Sequence, residues 1–336
     1  MSHKTRYFVI ISGAILVVGL GTGLVASYLG MPVSVFSSAA GPDELQYVPA
    51  DAAVVAYANV RDVMNSEFRQ RFRQMEPQSA ERSEFQEKTG VNFEQDIDSV
   101  VAAMMPSTSE TAKPYQSALL LARGRFEAGR LEALAIEHGG KAEDYQGKRI
   151  LTHTSTNDPD GQDRSMSLGF IDADLVAIGT SDAVRHAIDA GRDHHNVVSN
   201  NEVMRLVAEL DNSNAWAVGR FDAIAKEAKL PTEIQSQIPT ISWFSAAGHI
   251  NGGVSGIVKA ETKDDASAQN LRDVVRGFLA LAKLQAGSKP GMQQMVDSLQ
   301  LSGEGKTVSL AFSVPTEVLD VIEGMAKSHR NADEHR

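Results

Sequence analysis

The sequence predicts an α+β protein: an N-terminal transmembrane helix followed by two ferredoxin-like βαββαββα halves with antiparallel sheets and helices packed on one face. Three observations carry that prediction. Residues 7–29 (YFVIISGAILVVGLGTGLVASYL) are a 23-residue run without a charge. From Tyr47 onward, short apolar strands alternate with amphipathic helices. The second half of the chain then repeats the order of elements found in the first. At 336 residues, 42% hydrophobic and 22% charged, the chain can bury a sizeable core, and its length fits about two domains. It holds no Cys. That excludes a thiol nucleophile, a Cys-based zinc site, an iron–sulfur cluster, disulfide staples and a lipidated Cys. A net charge of −11 argues against nucleic acid as a partner.

The N-terminal run comes first. At about 1.5 Å per helical residue it spans a hydrocarbon layer of roughly 30 Å. Lys4 and Arg6 precede it, and no Lys or Arg follows until Arg61. The positive-inside bias therefore places residues 1–6 in the cytoplasm as a short tail, and the rest beyond a single-pass signal anchor. The expected location is the bacterial inner membrane, with the C-terminal body periplasmic or extracellular. Ser38-Ala39-Ala40 offers a small-residue cleavage site, so a signal peptide removed after Ala40 is the alternative. Both readings export the body. Gly19 and Gly23 form a GxxxG pair that lets two membrane helices approach closely, a route to a homodimer. The same glycines do not read as a nucleotide loop, because they lie inside the apolar run and not between a strand and a soluble helix. Residues 30–46, with Pro32 and Pro42, read as a tether. Beyond residue 30 the chain carries −13, because Lys4 and Arg6 are left behind with the first residues.

The first half covers residues 47–195. Strands are predicted at 54–60, 99–105, 117–122, 149–154, 166–171 and 175–179. Apolar residues at Val60, Met64, Phe68 and Phe72 keep a four-residue spacing and mark one helix face. A helix over 127–138 stops at Gly139-Gly140, and another begins at Asp182 with Thr180 or Ser181 as its N-cap. Residues 196–213 connect to the second half, 214–327. There, strands are predicted at 215–220, 241–250, 254–260, 299–302 and 307–314. A hairpin turns at Asn251-Gly252. Helices are predicted at 222–228, 266–285 and 316–325, the middle one with Leu271, Val274, Val275, Phe278 and Ala282 on one face. Residues 328–336 are a polar tail.

Particular residues support a duplication. Tyr57-Ala58-Asn59-Val60-Arg61-Asp62 matches Val218-Gly219-Arg220-Phe221-Asp222 with one insertion. Leu175–Gly179 leads into a helix carrying Val184, Ile188 and Asp189, as Val308–Ser313 leads into one carrying Val318, Ile322 and Glu323. Each half then reads as a split βαβ order. With the membrane segment, the stretches YVPADAAVVAYANV and GFIDADLVAIGTSDAVRHAID resemble a group of uncharacterised bacterial envelope proteins. Those proteins repeat an acidic turn, an apolar strand ending in Gly, a Ser/Thr-Asp cap and an Ala-rich helix. The unit occupies Asp172–Asp189 here, and its echo has Ser313-Val314-Pro315 where the Gly would stand. The resemblance implies an anchored extracytoplasmic protein and carries over no active-site residue.

No residue set reads as a catalytic, cofactor or metal site. His194-His195, with Asp193 and His186 nearby, do not share the i, i+4 spacing of a zinc helix and read as a polar loop. His138 sits in a last helical turn as a cap, and His249 in a strand near a turn. Asp158, Asp160, Gly161 and Asp163 lack the bidentate Glu of a calcium loop. Gly248, Gly252, Gly253 and Gly256 alternate with Ile250, Val254 and Ile257, which suits a strand where something packs closely. Arg61, Arg69, Arg71 and Arg73 read as a solvated helix face. No G-x-S-x-G, S-x-x-K or HExxH motif is present. The expected function is therefore a membrane-anchored envelope scaffold that binds another envelope protein. Two alternatives stay open: an exported hydrolase with a dispersed site, or an apolar-ligand protein using small residues on facing strands (Ala246, Ala247, Gly253, Gly256).

Overall fold

The structure is a computed structural model that describes residues 41–73, 80–105, 117–155, 164–210, 213–225, 240–251, 253–286 and 290–314. The apolar run with Gly19 and Gly23, the carboxylates between 158 and 163, the helix at 316–325 and the polar tail lie outside the described residues. Among the described residues, no helix is long and apolar enough to cross a membrane. The chain divides into two compact units, one of residues 29–65 and 77–219, the other containing 66–76 and 220–336.

The first unit is built on strands β1 (Val54–Ala58), β2 (Ile97–Met105), β3 (Ser117–Gly124), β4 (Lys141–Tyr145), β5 (Lys148–Ser155), β6 (Arg164–Asp172), β7 (Leu175–Thr180) and β8 (Ala215–Arg220). Their order is β8-β1-β2-β3-β7-β6-β5-β4, and each pairing is antiparallel. β2 alternates buried and half-buried along its whole length, the period-2 pattern of a strand with one face in the core and the other partly covered. Around it lie α1 (Val60–Asn65), α3 (Ala80–Thr89), α4 (Phe93–Asp96), α5 (Ala128–Glu137), α6 (Ser181–Asp193) and α7 (Asn201–Ala208), with α2 (Glu67–Arg73) belonging to the second unit. Asn92 and Asn200 cap α4 and α7 through side-chain oxygens that accept from Glu94 N and Val203 N. Thr180 stands at the N-cap position of α6 but makes no capping bond. Its hydroxyl pairs with Ser117 (3.2 Å), while Ser181 accepts from Ser167 (2.8 Å).

This architecture overturns the expected pair of ferredoxin-like halves. β8, the strand that was to open the second half, pairs with β1, so Tyr57 meets Trp216 and Ala58 meets Ala215. The two segments that carry the duplication are thus neighbours in one sheet. Helices cover both faces of that sheet, not one. Gly169 faces α6, and a Cβ there would come within 2.8 Å of Val184 Cγ1. Residues paired directly across an antiparallel sheet share a face, so Ala177, Leu121, Val101 and Tyr57 also face the α6 side. The opposite face carries the row Leu151–Leu168–Ile178–Leu120–Ala102–Ala56, and α5 lies over its β4–β5 end.

In the second unit β9 (Ile241–Ile250), β10 (Val254–Thr262), β11 (Gln300–Ser302) and β12 (Thr307–Val314) run in the order β11-β12-β10-β9, again antiparallel. The short α8 (Phe221–Ala225) lies against β9. The long α9 (Asp265–Ala286) buries Ala268 and Leu271 against Val308, and α10 (Pro290–Asp297) packs on α9. Gly256 is needed at a close approach, because a Cβ would meet Ala247 O at 2.6 Å and the Phe312 ring at 2.7 Å.

Candidate functional site

The buried polar groups of the first unit are spent on holding elements together. Glu44, only 3% exposed, accepts hydrogen bonds from Ser99 Oγ (2.8 Å) and Arg123 Nε (2.7 Å), and Arg123 also donates to Asp174 (2.7 Å). These bonds strap the 3₁₀ turn Asp43–Tyr47 to β2 and β3. Asp62 accepts from the amides of Asn59 (3.0 Å) and Asn214 (3.2 Å), joining the start of α1 to the start of β8. Burial raises the Asp62 pKa, against the hydrogen bond from Asn214 that lowers it. Tyr145 donates to Asp189 (2.9 Å), and Arg185 lies over the Tyr145 ring while pairing with Glu143 (2.6 Å). That cluster fastens the edge strand β4 to α6.

The tyrosines near these contacts are poorly suited to acid–base chemistry near neutral pH. Burial, then the charges of Glu44 and Asp62, raises the Tyr57 pKa. Burial and Asp172 do the same for Tyr47, and the hydrogen bond to Asp189 raises Tyr145. Each phenol therefore stays protonated, a weak nucleophile and a poor base.

The histidines and arginines of the sequence search are scattered. His194 has φ 57° and closes α6 in the left-handed region, and both it and His195 are exposed. Asp193 pairs with Arg192 (2.7 Å), which holds its carboxyl below the ordinary value. His186 is exposed on α6, and His138 closes α5 with Nδ1 at 2.9 Å from Leu134 O. His249 is exposed on β9. Among the described residues no group of three or more His, Asp or Glu is placed to hold a metal. The basic island is a correction: Arg69 is 2% exposed and so is not part of a solvated face, while Arg61 is paired with Asp98. The helix expected across this stretch breaks at Ser66, and Ser66 Oγ accepts from Arg69 N (3.1 Å) at the start of α2. The small strand residues offer little space. Ala246 and Ala247 are buried, and the Phe312 ring fills the place beside Gly256.

One side of the first sheet leaves apolar side chains uncovered. On the α5 side of the first sheet Leu120 is 36% exposed, Ile178 38%, Met166 45%, and Ile136 on α5 51%. Leu120 and Ile178 are direct cross-strand partners, as are Ile178 and Leu168. Beside them a recess of about 240 Å³ opens between the end of α5 (Ala135, His138) and the sheet (Leu151, Met166, Leu168, Ile178). Scattered exposed aliphatics are ordinary, but these three strand residues are neighbours on adjacent strands and lie beside a recess. The signal of this surface was present in the sequence. Leu119-Leu120-Leu121 breaks the alternation of a strand with one wet face, so both faces of β3 ask for cover.

A family model described as “Protein of unknown function (DUF3352)” matches residues 10–268. The chain belongs to that family. The DUF3352 match takes in every strand of the first unit together with β9 and β10, and it ends at Ala268 inside α9. No protein of curated function matches the chain. Among solved structures, crystal form I of TP0453 is similar, with 10% sequence identity and a TM-score of 0.46 over 84% of this chain and 98% of that one. The α5-side surface lies wholly within the DUF3352 match.

Proposed function

We propose that this DUF3352 protein is an envelope scaffold without catalytic activity, whose body is exported and binds another envelope protein through the α5 side of its first sheet. The observation that carries the reading is that the exposed Met166 and Ile178 line the recess, with Leu120 the cross-strand neighbour of Ile178. At about 240 Å³ the recess is below the roughly 300–1,000 Å³ of small-molecule pockets, and it suits one apolar anchor side chain of a protein partner. This favours a protein over a lipid-sized ligand. Export and anchoring rest on the charge-free run at 7–29 with Lys4 and Arg6 ahead of it.

A photo-crosslinking residue at position 178 in intact cells tests the binding surface. The expected product is one discrete adduct with an envelope protein, absent when the probe is moved to Val184, which faces the core. Equal adducts from both positions, or turnover of a substrate by the purified chain without any adduct, would contradict the reading. Protease added outside spheroplasts should digest the body. Digestion only after lysis would overturn export.

A further inference from the structure

The recess at the end of α5 holds a second chemistry beside its aliphatic floor. His138, His153 and Met166 all line it. His153 on β5 and Met166 on β6 are direct cross-strand partners, a placement that sets their Cβ atoms about 4.5–5.5 Å apart on one face. Lys141 of β4 pairs with Thr152, so Gly140, one residue earlier, falls beside His153 and leaves that side of the imidazole open. His138 stands two residues before Gly140, where α5 ends over the same strands. Its Nδ1 lies 2.9 Å from Leu134 O. A carbonyl only accepts, so Nδ1 carries the proton and Nε2 keeps a free lone pair. A backbone carbonyl on the other ring nitrogen is the usual setting of a metal-binding histidine. His153 is exposed and Met166 is 45% exposed, so both side chains have room to turn toward that nitrogen.

We propose that His138 Nε2, the His153 imidazole and the Met166 thioether bind one monovalent copper ion, Cu(I). The donor set decides the metal. All three ligands are neutral, and among the described residues lining the recess there is no Asp or Glu to offset a second charge. The cost of desolvating an ion rises with the square of its charge. Over the apolar floor of Leu151, Leu168 and Ile178, a monovalent ion is held where a divalent one is penalised. A thioether is a soft ligand and selects Cu(I) over zinc, magnesium or calcium. No cysteine in the chain competes for the ion. The cap of α5, β5 and β6 supply one ligand each, which is why no spacing in the sequence announces the set. The site goes beyond the partner surface and needs no partner to be occupied.

Titration of the full chain in mild detergent with Cu(I), without oxygen and against a chromophoric Cu(I) chelator, reads the site directly. The expected result is one tight Cu(I) per chain, displaced by Ag(I) and not by Zn(II). M166L keeps the bulk of the side chain and removes only the sulfur. It should weaken Cu(I) binding about tenfold or more, since even loss of an outer partner costs that much at metal sites. H153Q and H138Q should do the same, while H195Q, exposed outside the recess, should bind as the unaltered chain does. X-ray absorption at the copper edge should show a sulfur neighbour that M166L removes. Metal-free M166L should melt with the unaltered chain, because Leu and Met are close in volume, which separates a lost ligand from a lost fold. Binding that survives M166L or H153Q, equal competition by Zn(II), or a copper spectrum without sulfur would each overturn the proposal. Crosslinking from position 178 is read separately, and its failure with copper binding intact would remove the partner and leave this site.

Discussion

The two faces of the first sheet are covered by helices of opposite habit. α6 reads SDAVRHAIDAGRD, a polar sequence, yet it buries Ala183, Val184, Ala187, Ile188 and Ala190. α5 reads AGRLEALAIE, richer in Leu and Ile, yet buries no residue fully. The difference lies in the sheet beneath. On the α6 side Gly169, Ala177 and Gly179 leave a shallow surface, so small alanines approach closely and the interface closes. On the α5 side the helix lies mainly over β4 and β5, so Ile178 and Leu120 on the strands beyond stay partly exposed, and the recess opens at the end of the helix. Close packing, more than helix hydrophobicity, decides which face becomes core. The face left open is the one available to a partner.

Adjacent residues on β3 offer the sharpest way to break that comparison. Leu121 is fully buried on the α6 side and Leu120 is 36% exposed on the other. L121A should cost about 2–5 kcal/mol in chemical denaturation. L120A should cost well under about 1 kcal/mol, in keeping with a surface position. Equal losses would mean that the α5 side is core as well. Next in size is G169V, which drives new methyl groups into Val184 and should cost about 1–3 kcal/mol by overpacking. E44Q should follow. It removes the charge that Arg123 faces on the buried side, but Arg123 keeps Asp174 and is partly exposed, so the loss should be about 1–2 kcal/mol. Proteolysis of the 41–50 segment should speed up in that variant.

The smallest effect concerns pH. The folded-state pKa of Asp62 is raised, so folding takes up a proton there. The resulting stability is fully present below the unfolded value of about 3.9 and is lost as pH rises through the folded value. D62N keeps an oxygen for Asn59 and Asn214 and should flatten that part of the stability–pH curve. A slope unchanged in D62N would assign it to another carboxylate.

Much of the local structure was legible in the sequence, and the assembly was not. The strands Ala215–Arg220, Ile241–Ile250 and Thr307–Val314 fall where the apolar patterns put them, because a short apolar run bounded by polar or turn residues is written locally. β4 was missed, since KAEDY has no apolar alternation. As an edge strand it carries Lys141, Glu143 and Asp144, charges that discourage further pairing. α7 was hidden in a stretch read as a connection, although Asn200 gave it a cap. The pairing of β1 with β8 joins residues far apart in sequence, and nothing in the periodicity of either strand names its neighbour. The exposed surface was readable only as an excess, three leucines in a row where an open face needs one polar residue. Which leucine lacks cover depends on α5 and α6, and so on tertiary structure.

The central claim is that one face of the first sheet stabilises the body while the other binds. It is tested most directly by crosslinking from position 178 in cells expressing the L120D chain, with thermal unfolding of the same purified variant. The account predicts that the adduct disappears while L120D melts within a few degrees of the unaltered chain, a shift on the order of 1 kcal/mol or less. An adduct that survives L120D, or a variant that no longer folds, would contradict it.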